Sequence, residues 1–199
     1  MSDALSDRKA ALRKAAFARR KTAHAATPDA GQRAAEHLLA SRFLTGAAVV
    51  SAYCPIRTEI DPMPLMRRLS AAGHRICVPV IQGEGLALQF REWHPDVAME
   101  EGPFGAAVPV GTDWLAPDLV IAPLVAFDRE GGRLGYGGGF YDRSLEEMRR
   151  VKPTLAIGYA FAAQEVPDLP REPTDQPLDA IVTEEGMIPV RSPASDPPA

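Results

Sequence analysis

The sequence predicts an α/β fold with a mostly parallel sheet, and three observations carry that expectation. Short apolar runs of strand length recur along the chain, and helical segments separate them. A length of 199 residues suits one domain with a sizeable core. Parallel neighbours need a crossover to bring the chain back, so this alternation also predicts helices on both faces of the sheet.

Residues 5–24 hold helix formers without Gly or Pro, and Ser6 is placed to cap their start by accepting an orphan backbone N–H. Thr27-Pro28-Asp29 breaks this helix. Residues 30–41 form a second, with Ala34, Leu38 and Leu39 at helical spacing, so a helical hairpin is expected. Residues 47–53 are an apolar run ended by Pro55, which suits a strand buried on both faces with function beginning at its end. A third helix over 61–72 places Leu65, Met66 and Leu69 on one side, and Gly73 is its left-handed terminator. Residues 75–80 read as a strand, and the alternating 86–93 as a more exposed one near a sheet edge.

Residues 119–123 form a further buried strand that leads into a glycine-rich stretch and a helix over 141–151. Strands at 154–159 and 179–183 complete the set. Pro167, Pro170, Pro173 and Pro177 exclude regular helix between them. Residues 1–190 are the expected folded domain and 191–199 an expected flexible tail.

The composition, 46% hydrophobic and 24% charged, is that of a globular chain and not of a disordered one. A net charge of -4 argues against general nucleic-acid binding, which needs a clustered basic surplus. Cys54 and Cys77 are too few for a disulfide framework and read as buried reduced thiols. His24, His37, His74 and His94 lack metal-ligand spacing, so they read as surface or capping residues and no zinc is expected. No apolar stretch approaches the roughly 20 residues that span a bilayer. Asp3 and Asp7 spoil the acidic-poor pattern of a transit peptide. The expected setting is the cytoplasm, without nucleic-acid or membrane partners, and the expected state is a monomer.

The stretch 133–143 reads R-L-G-Y-G-G-G-F-Y-D-R. Glycines let a backbone approach a ligand closely, and successive N–H groups can then converge on phosphate oxygens. A helix that begins after them adds its own N-terminal donors. Arg133, Asp142 and Arg143 around so many glycines point to a binding loop and away from a plain turn. No G-K-[ST] follows, which excludes a P-loop, and Gly135, Gly137 and Gly139 fit a dinucleotide fingerprint only in part.

Taken from Ala126-Phe127-Asp128 to Arg143, the sequence resembles the signature of the 5-formyltetrahydrofolate cyclo-ligase family. The resemblance continues from Lys9-Ala-Ala-Leu-Arg13 through 55–61, Asp175 and 179–184. It implies a three-layer α/β/α fold, Rossmann-like with a CoA-transferase-like arrangement. It also implies ATP and 5-formyltetrahydrofolate as substrates, Mg2+ as cofactor, and 5,10-methenyltetrahydrofolate as product. Such chemistry needs positioned ligands and neutralised phosphate charge, so the lack of a protein nucleophile is no objection.

By this resemblance Arg133 and Lys9 are catalytic. ATP is held by Lys9, Arg13, Arg133, Leu134, Gly135, Tyr136, Gly137, Gly138, Gly139, Phe140, Tyr141 and Asp142. The folate side is Glu59, Phe140, Tyr141 and Phe104, and the metal ligands are Asp142 and Asp175. Each has a plainer reading: Lys9 and Arg13 as a solvated helix face, Asp142 as a cap, Asp175 as a turn residue, Glu59 as a loop acid, Phe140 and Tyr141 as core aromatics. Two departures stand out. Phe104-Gly-Ala-Ala-Val-Pro109 is apolar where relatives carry an acidic or polar residue before the proline, and Gly138 stands where some have lysine. Two other functions stay open at this point: a folate-binding regulator without turnover, and an ATP-dependent enzyme for a non-folate substrate.

Overall fold

The structure, a computed structural model, describes residues 2–190, except the side chains at 2–4 and at Phe104. The tail expected at 191–199 lies outside the described residues. The elements run α1 (Ser2–Ala26), α2 (Ala30–Leu39), β1 (Val49–Ser51), α3 (Met63–Ala71), β2 (Arg75–Ile81) and β3 (Leu88–Trp93). They continue with β4 (Met99–Glu101), β5 (Ala107–Pro109), β6 (Trp114–Leu115), β7 (Leu119–Pro123), β8 (Ala126–Phe127) and β9 (Arg133–Leu134). The chain closes with α4 (Phe140–Val151), β10 (Leu155–Tyr159), β11 (Ala180–Thr183) and β12 (Gly186–Pro189).

The main sheet has eight strands in the order β12-β11-β10-β7-β1-β2-β3-β6. Its five central strands, β11 to β2, pair in parallel, and the outer pairings are antiparallel. The α/β expectation therefore holds, with antiparallel edges added. Along β7, Leu119 and Ile121 face the side that holds Leu38 of α2 and Leu65 and Leu69 of α3. Val120 and Ala122 face the side that holds Leu145 of α4. All four are fully buried, so an uninterrupted apolar run did mark a strand covered on both faces.

Helix ends differ from expectation for local reasons. Ser6 lies inside α1 and not at its cap position, because the helix runs on upstream to Ser2. Helix α3 begins at Met63, whose N–H donates to Asp61 Oδ1 at 2.9 Å. It ends as expected at Gly73: the Gly73 N–H reaches Ser70 O, the His74 N–H reaches Leu69 O, and Gly73 takes φ +92°. The first two helices do not pair as a hairpin, since α1 packs mainly on β8 and the turn at Ala162–Gln164. Strands β4, β5, β6, β8, β9 and β12 were not anticipated; most span two or three residues, too few to express a period of two. Cys77 is buried and Cys54 only half-buried, because Cys54 lies past the end of β1.

Candidate active site

Strands β1 and β7 are neighbours whose onward connections run to opposite sides, β1 to β2 and β7 to β10. Crevices outside the carboxyl ends of parallel strands form at such a switch point. A pocket of about 750 Å³ opens there, lined by Tyr53 and Cys54 after β1, Ile81 of β2 and Pro123 of β7. Lys9 and Arg13 of α1, the whole stretch 133–143, Glu59 and Asp175 line it as well. Every residue expected from the sequence is thus brought to one pocket, apart from Phe104, whose side chain lies outside the described residues.

The short β8–β9 ribbon carries Arg133 into this pocket. Asp128, buried in the turn, accepts from the Gly132 N–H at 2.7 Å, from the Leu169 N–H at 3.2 Å and from Arg171 Nη2 at 2.8 Å. This signature aspartate therefore shapes the ribbon and stands away from the ligand space. Arg133 has a side chain only 4% exposed. Its Nη2 donates to Asp142 Oδ1 at 2.9 Å, and its guanidinium lies 5.2 Å from the Tyr141 ring centroid.

The glycines that follow make the close approach possible. Gly137 (φ +106°) and Gly139 (φ +64°) occupy backbone regions that disfavour a Cβ, and Gly139 starts α4 without a side-chain cap. The first turn of α4 therefore opens toward the pocket with Asp142 in it. Arg13 Nε donates to Gly135 O at 2.9 Å and Arg143 Nη2 to Gly138 O at 2.6 Å, pinning the loop from both sides. Phe140 and Tyr141 pack on the Cys77, Leu88 and Phe90 cluster and also line the pocket.

Lys9 is not on a solvated face. Its side chain is 10% exposed, and its ammonium donates to Glu172 at 2.7 Å and to Asp175 at 2.9 Å. Two cations of the pocket are therefore held by acids, Arg133 by Asp142 and Lys9 by Glu172 and Asp175. At Asp142 the hydrogen bonds fall on Oδ1, and at Asp175 on Oδ2. Among the described residues no cluster of three His, Cys, Asp or Glu could hold a metal. Two carboxylates, each with one oxygen outside these bonds, fit an ion that takes its other ligands from water and a bound anion.

At the other end Glu59 is buried, with Oε2 accepting from the Ile56 N–H at 2.9 Å and Oε1 from the Tyr136 hydroxyl at 3.0 Å. Burial raises its pKa above the usual carboxylate range, although these two hydrogen bonds and the Arg20 and Arg57 charges pull it down. Arg57 holds φ +55° without being glycine, and its guanidinium lies 5.8 Å from the Tyr136 ring centroid. Sequence reasoning missed Arg20, Arg57 and Glu172. One signal was present for Arg20: at 100° per residue, Lys9, Arg13 and Arg20 share an arc of about 40° on one helix.

The family model of the 5-formyltetrahydrofolate cyclo-ligase family matches residues 5–184. The 5-formyltetrahydrofolate cyclo-ligase of Escherichia coli (strain K12) is 36% identical over 174 residues, 82% of this chain and 95% of that one. Its namesake in Mycolicibacterium smegmatis is 29% identical over 92% of this chain and 97% of its own. Among solved structures, Aquifex aeolicus 5,10-methenyltetrahydrofolate synthetase superposes with a TM-score of 0.76 at 27% identity, covering 96% of each chain.

Proposed function

This chain belongs to the 5-formyltetrahydrofolate cyclo-ligase family, and we propose that it converts 5-formyltetrahydrofolate and ATP to 5,10-methenyltetrahydrofolate, ADP and phosphate. What supports this reading beyond family membership is a single pocket with a cationic, glycine-rich end and a carboxylate and aromatic end. Two ligands of unlike chemistry can meet there. The N5 formyl group is amide-like and a poor electrophile. Transfer of the ATP γ-phosphoryl group to its oxygen, with ADP leaving, turns that oxygen into a leaving group. The N10 lone pair then attacks the formyl carbon, phosphate departs with the C–O electrons, and the N10 proton is lost.

In this scheme the chain positions ligands and neutralises charge. Arg133 offers a planar, permanently charged donor set to the triphosphate, joined by Lys9, Arg13 and the backbone N–H groups of 134–139. With Gly138 in place of a lysine, Arg133 carries more of that charge. Tyr136, Phe140, Tyr141 and Asp142 complete the nucleotide wall. Asp142 and Asp175 would hold Mg2+, which when bound neutralises phosphate charge. Glu59 accepts from the pterin N–H groups, and Phe140 and Tyr141 present ring surface to the folate.

The test is the near-ultraviolet absorbance of methenyltetrahydrofolate in a mixture of purified protein, 5-formyltetrahydrofolate, ATP and Mg2+, with each component omitted in turn. Product that requires all of them is expected. A folded protein that binds ATP yet forms no product would overturn the assigned substrate.

A further inference from the structure

Arg20 lies on α1 two turns past Arg13, and its side chain is 1% exposed. Burying a guanidinium is costly unless its donors are used. Nη2 donates to the Tyr136 hydroxyl at 2.9 Å and Nε to Thr58 Oγ1 at 3.2 Å. Nη1 makes no hydrogen bond among the described residues and sits 3.9 Å from Glu59 Oε1. The Tyr136 hydroxyl, having accepted from Arg20, donates its own proton to that same Glu59 oxygen at 3.0 Å. Phe17 packs on Tyr136 with ring centroids 5.5 Å apart and fixes the ring that carries this hydroxyl.

Tyr136 is a residue of the glycine loop, whereas Glu59 belongs to the exit of β1. The Arg20–Tyr136–Glu59 chain therefore joins the phosphate end of the pocket to its carboxylate end. We infer that Arg20 is a positioning residue that acts through Tyr136 to keep the Glu59 carboxylate ionised and turned toward the folate; this role rests on the function proposed above. Each carboxylate oxygen has two acceptor sites, so the inward bonds from Ile56 and Tyr136 still leave Glu59 able to accept from a ligand.

The groups facing Glu59 are Arg20 from α1, Arg57 from its own loop, Tyr136 from the glycine loop, Tyr53 after β1 and Tyr141 from α4. Burial pushes all three tyrosines up, so near neutral pH the two arginines alone carry charge there. Arg57 is exposed at the rim and Arg20 is buried beside the carboxylate. Screening by solvent leaves Arg20 the stronger influence.

The test compares Arg20→Met, Arg20→Lys and Tyr136→Phe with the parent protein. Glu59 titration is followed by carboxyl carbon-13 NMR, assigned by the signal that Glu59→Gln removes, and the pH profile of kcat/KM for 5-formyltetrahydrofolate is recorded beside it. In Arg20→Met the Glu59 midpoint rises by about 1–3 pH units, as expected on losing an opposite charge within about 4–6 Å, and kcat/KM on the acid limb of its profile falls by up to about tenfold for each pH unit of that rise. Arg20→Lys keeps the parent profile. Tyr136→Phe shifts in the same direction by less, and it decides the matter should Arg20→Met fail to fold. An unchanged Glu59 midpoint in both Arg20→Met and Tyr136→Phe overturns the inference even if turnover proceeds. A shifted midpoint in a protein that forms no product upholds the hold on Glu59 and overturns the assigned substrate instead.

Discussion

Replacing Arg133 by alanine separates the proposed phosphate contact from folding. The substitution removes a charge-assisted hydrogen bond to Asp142, made at 2.9 Å and worth about 1.5–3 kcal/mol. It also removes a cation–π contact with Tyr141 of about 0.5–2 kcal/mol. Two effects oppose these losses. Nε of Arg133 is buried without a hydrogen-bond partner among the described residues, and Asp142 keeps the Gln176 N–H at 3.1 Å. The net destabilisation should be about 1–2 kcal/mol, which for a chain of this size lowers Tm by about 2–8 °C. Losing a donor aimed at developing charge costs far more in turnover, about 10²–10³-fold in kcat. Methenyltetrahydrofolate formation and thermal unfolding, measured on one preparation, read the two effects apart. Arg133→Lys keeps the charge and loses the planar fork, so it should recover only part of the rate. Near-normal kcat in folded Arg133→Ala would refute the reasoning, as would a rate loss that tracks unfolding.

Three further outcomes follow from the same geometry. Gly139→Ala places a side chain at φ +64° and a Cβ 2.7 Å from Arg143 Nη1. It should cost about 1–2 kcal/mol and raise KM for ATP more than it lowers kcat, read by steady-state kinetics and urea unfolding. Asp128→Ala strips the buried anchor from Gly132, Leu169 and Arg171; Arg171 reaches water, so the cost is that of two stranded N–H groups, about 2–6 kcal/mol read from the urea midpoint, and activity should fall with it as the ribbon carrying Arg133 loosens. For Lys9, burial alone lowers the pKa, but the bonds to Glu172 and Asp175 outweigh it and hold the ammonium above the ordinary lysine range. Its contribution to stability is therefore whole below ordinary lysine titration and is lost as pH climbs through the raised value. Lys9→Met should flatten that alkaline decline, seen in urea midpoints taken between about pH 9 and about pH 12.

The central strands were legible because their residues are apolar on both faces, and a run such as Leu119–Pro123 can satisfy that pattern only inside a covered sheet. The end of α3 was legible too, since Gly73 alone among its neighbours takes the left-handed turn at no cost. The ribbon Ala126–Phe127 with Arg133–Leu134 was not, although it presents the main cation. Its pairing is fixed by the Asp128 turn and by packing, and two residues a side leave no periodic trace.

The chain itself determined the chemistry of the pocket: glycines that permit close backbone approach, and Lys9, Arg13, Arg133, Glu59 and Asp142 as charged partners. Tertiary structure alone decided which of these charges are buried and which residues join them. Helical phase groups Arg20 with Lys9 and Arg13, but nothing local says that this face is covered; Arg19 beside it is exposed and Arg20 is sealed against Tyr136, 116 positions away, and Thr58, 38 positions away. The strand order sets those encounters by placing the exit of β1 beside the end of β7 and laying α1 over both. A charge reads alike in sequence whether water or a buried carboxylate surrounds it, because its burial belongs to the packed fold and not to the residue.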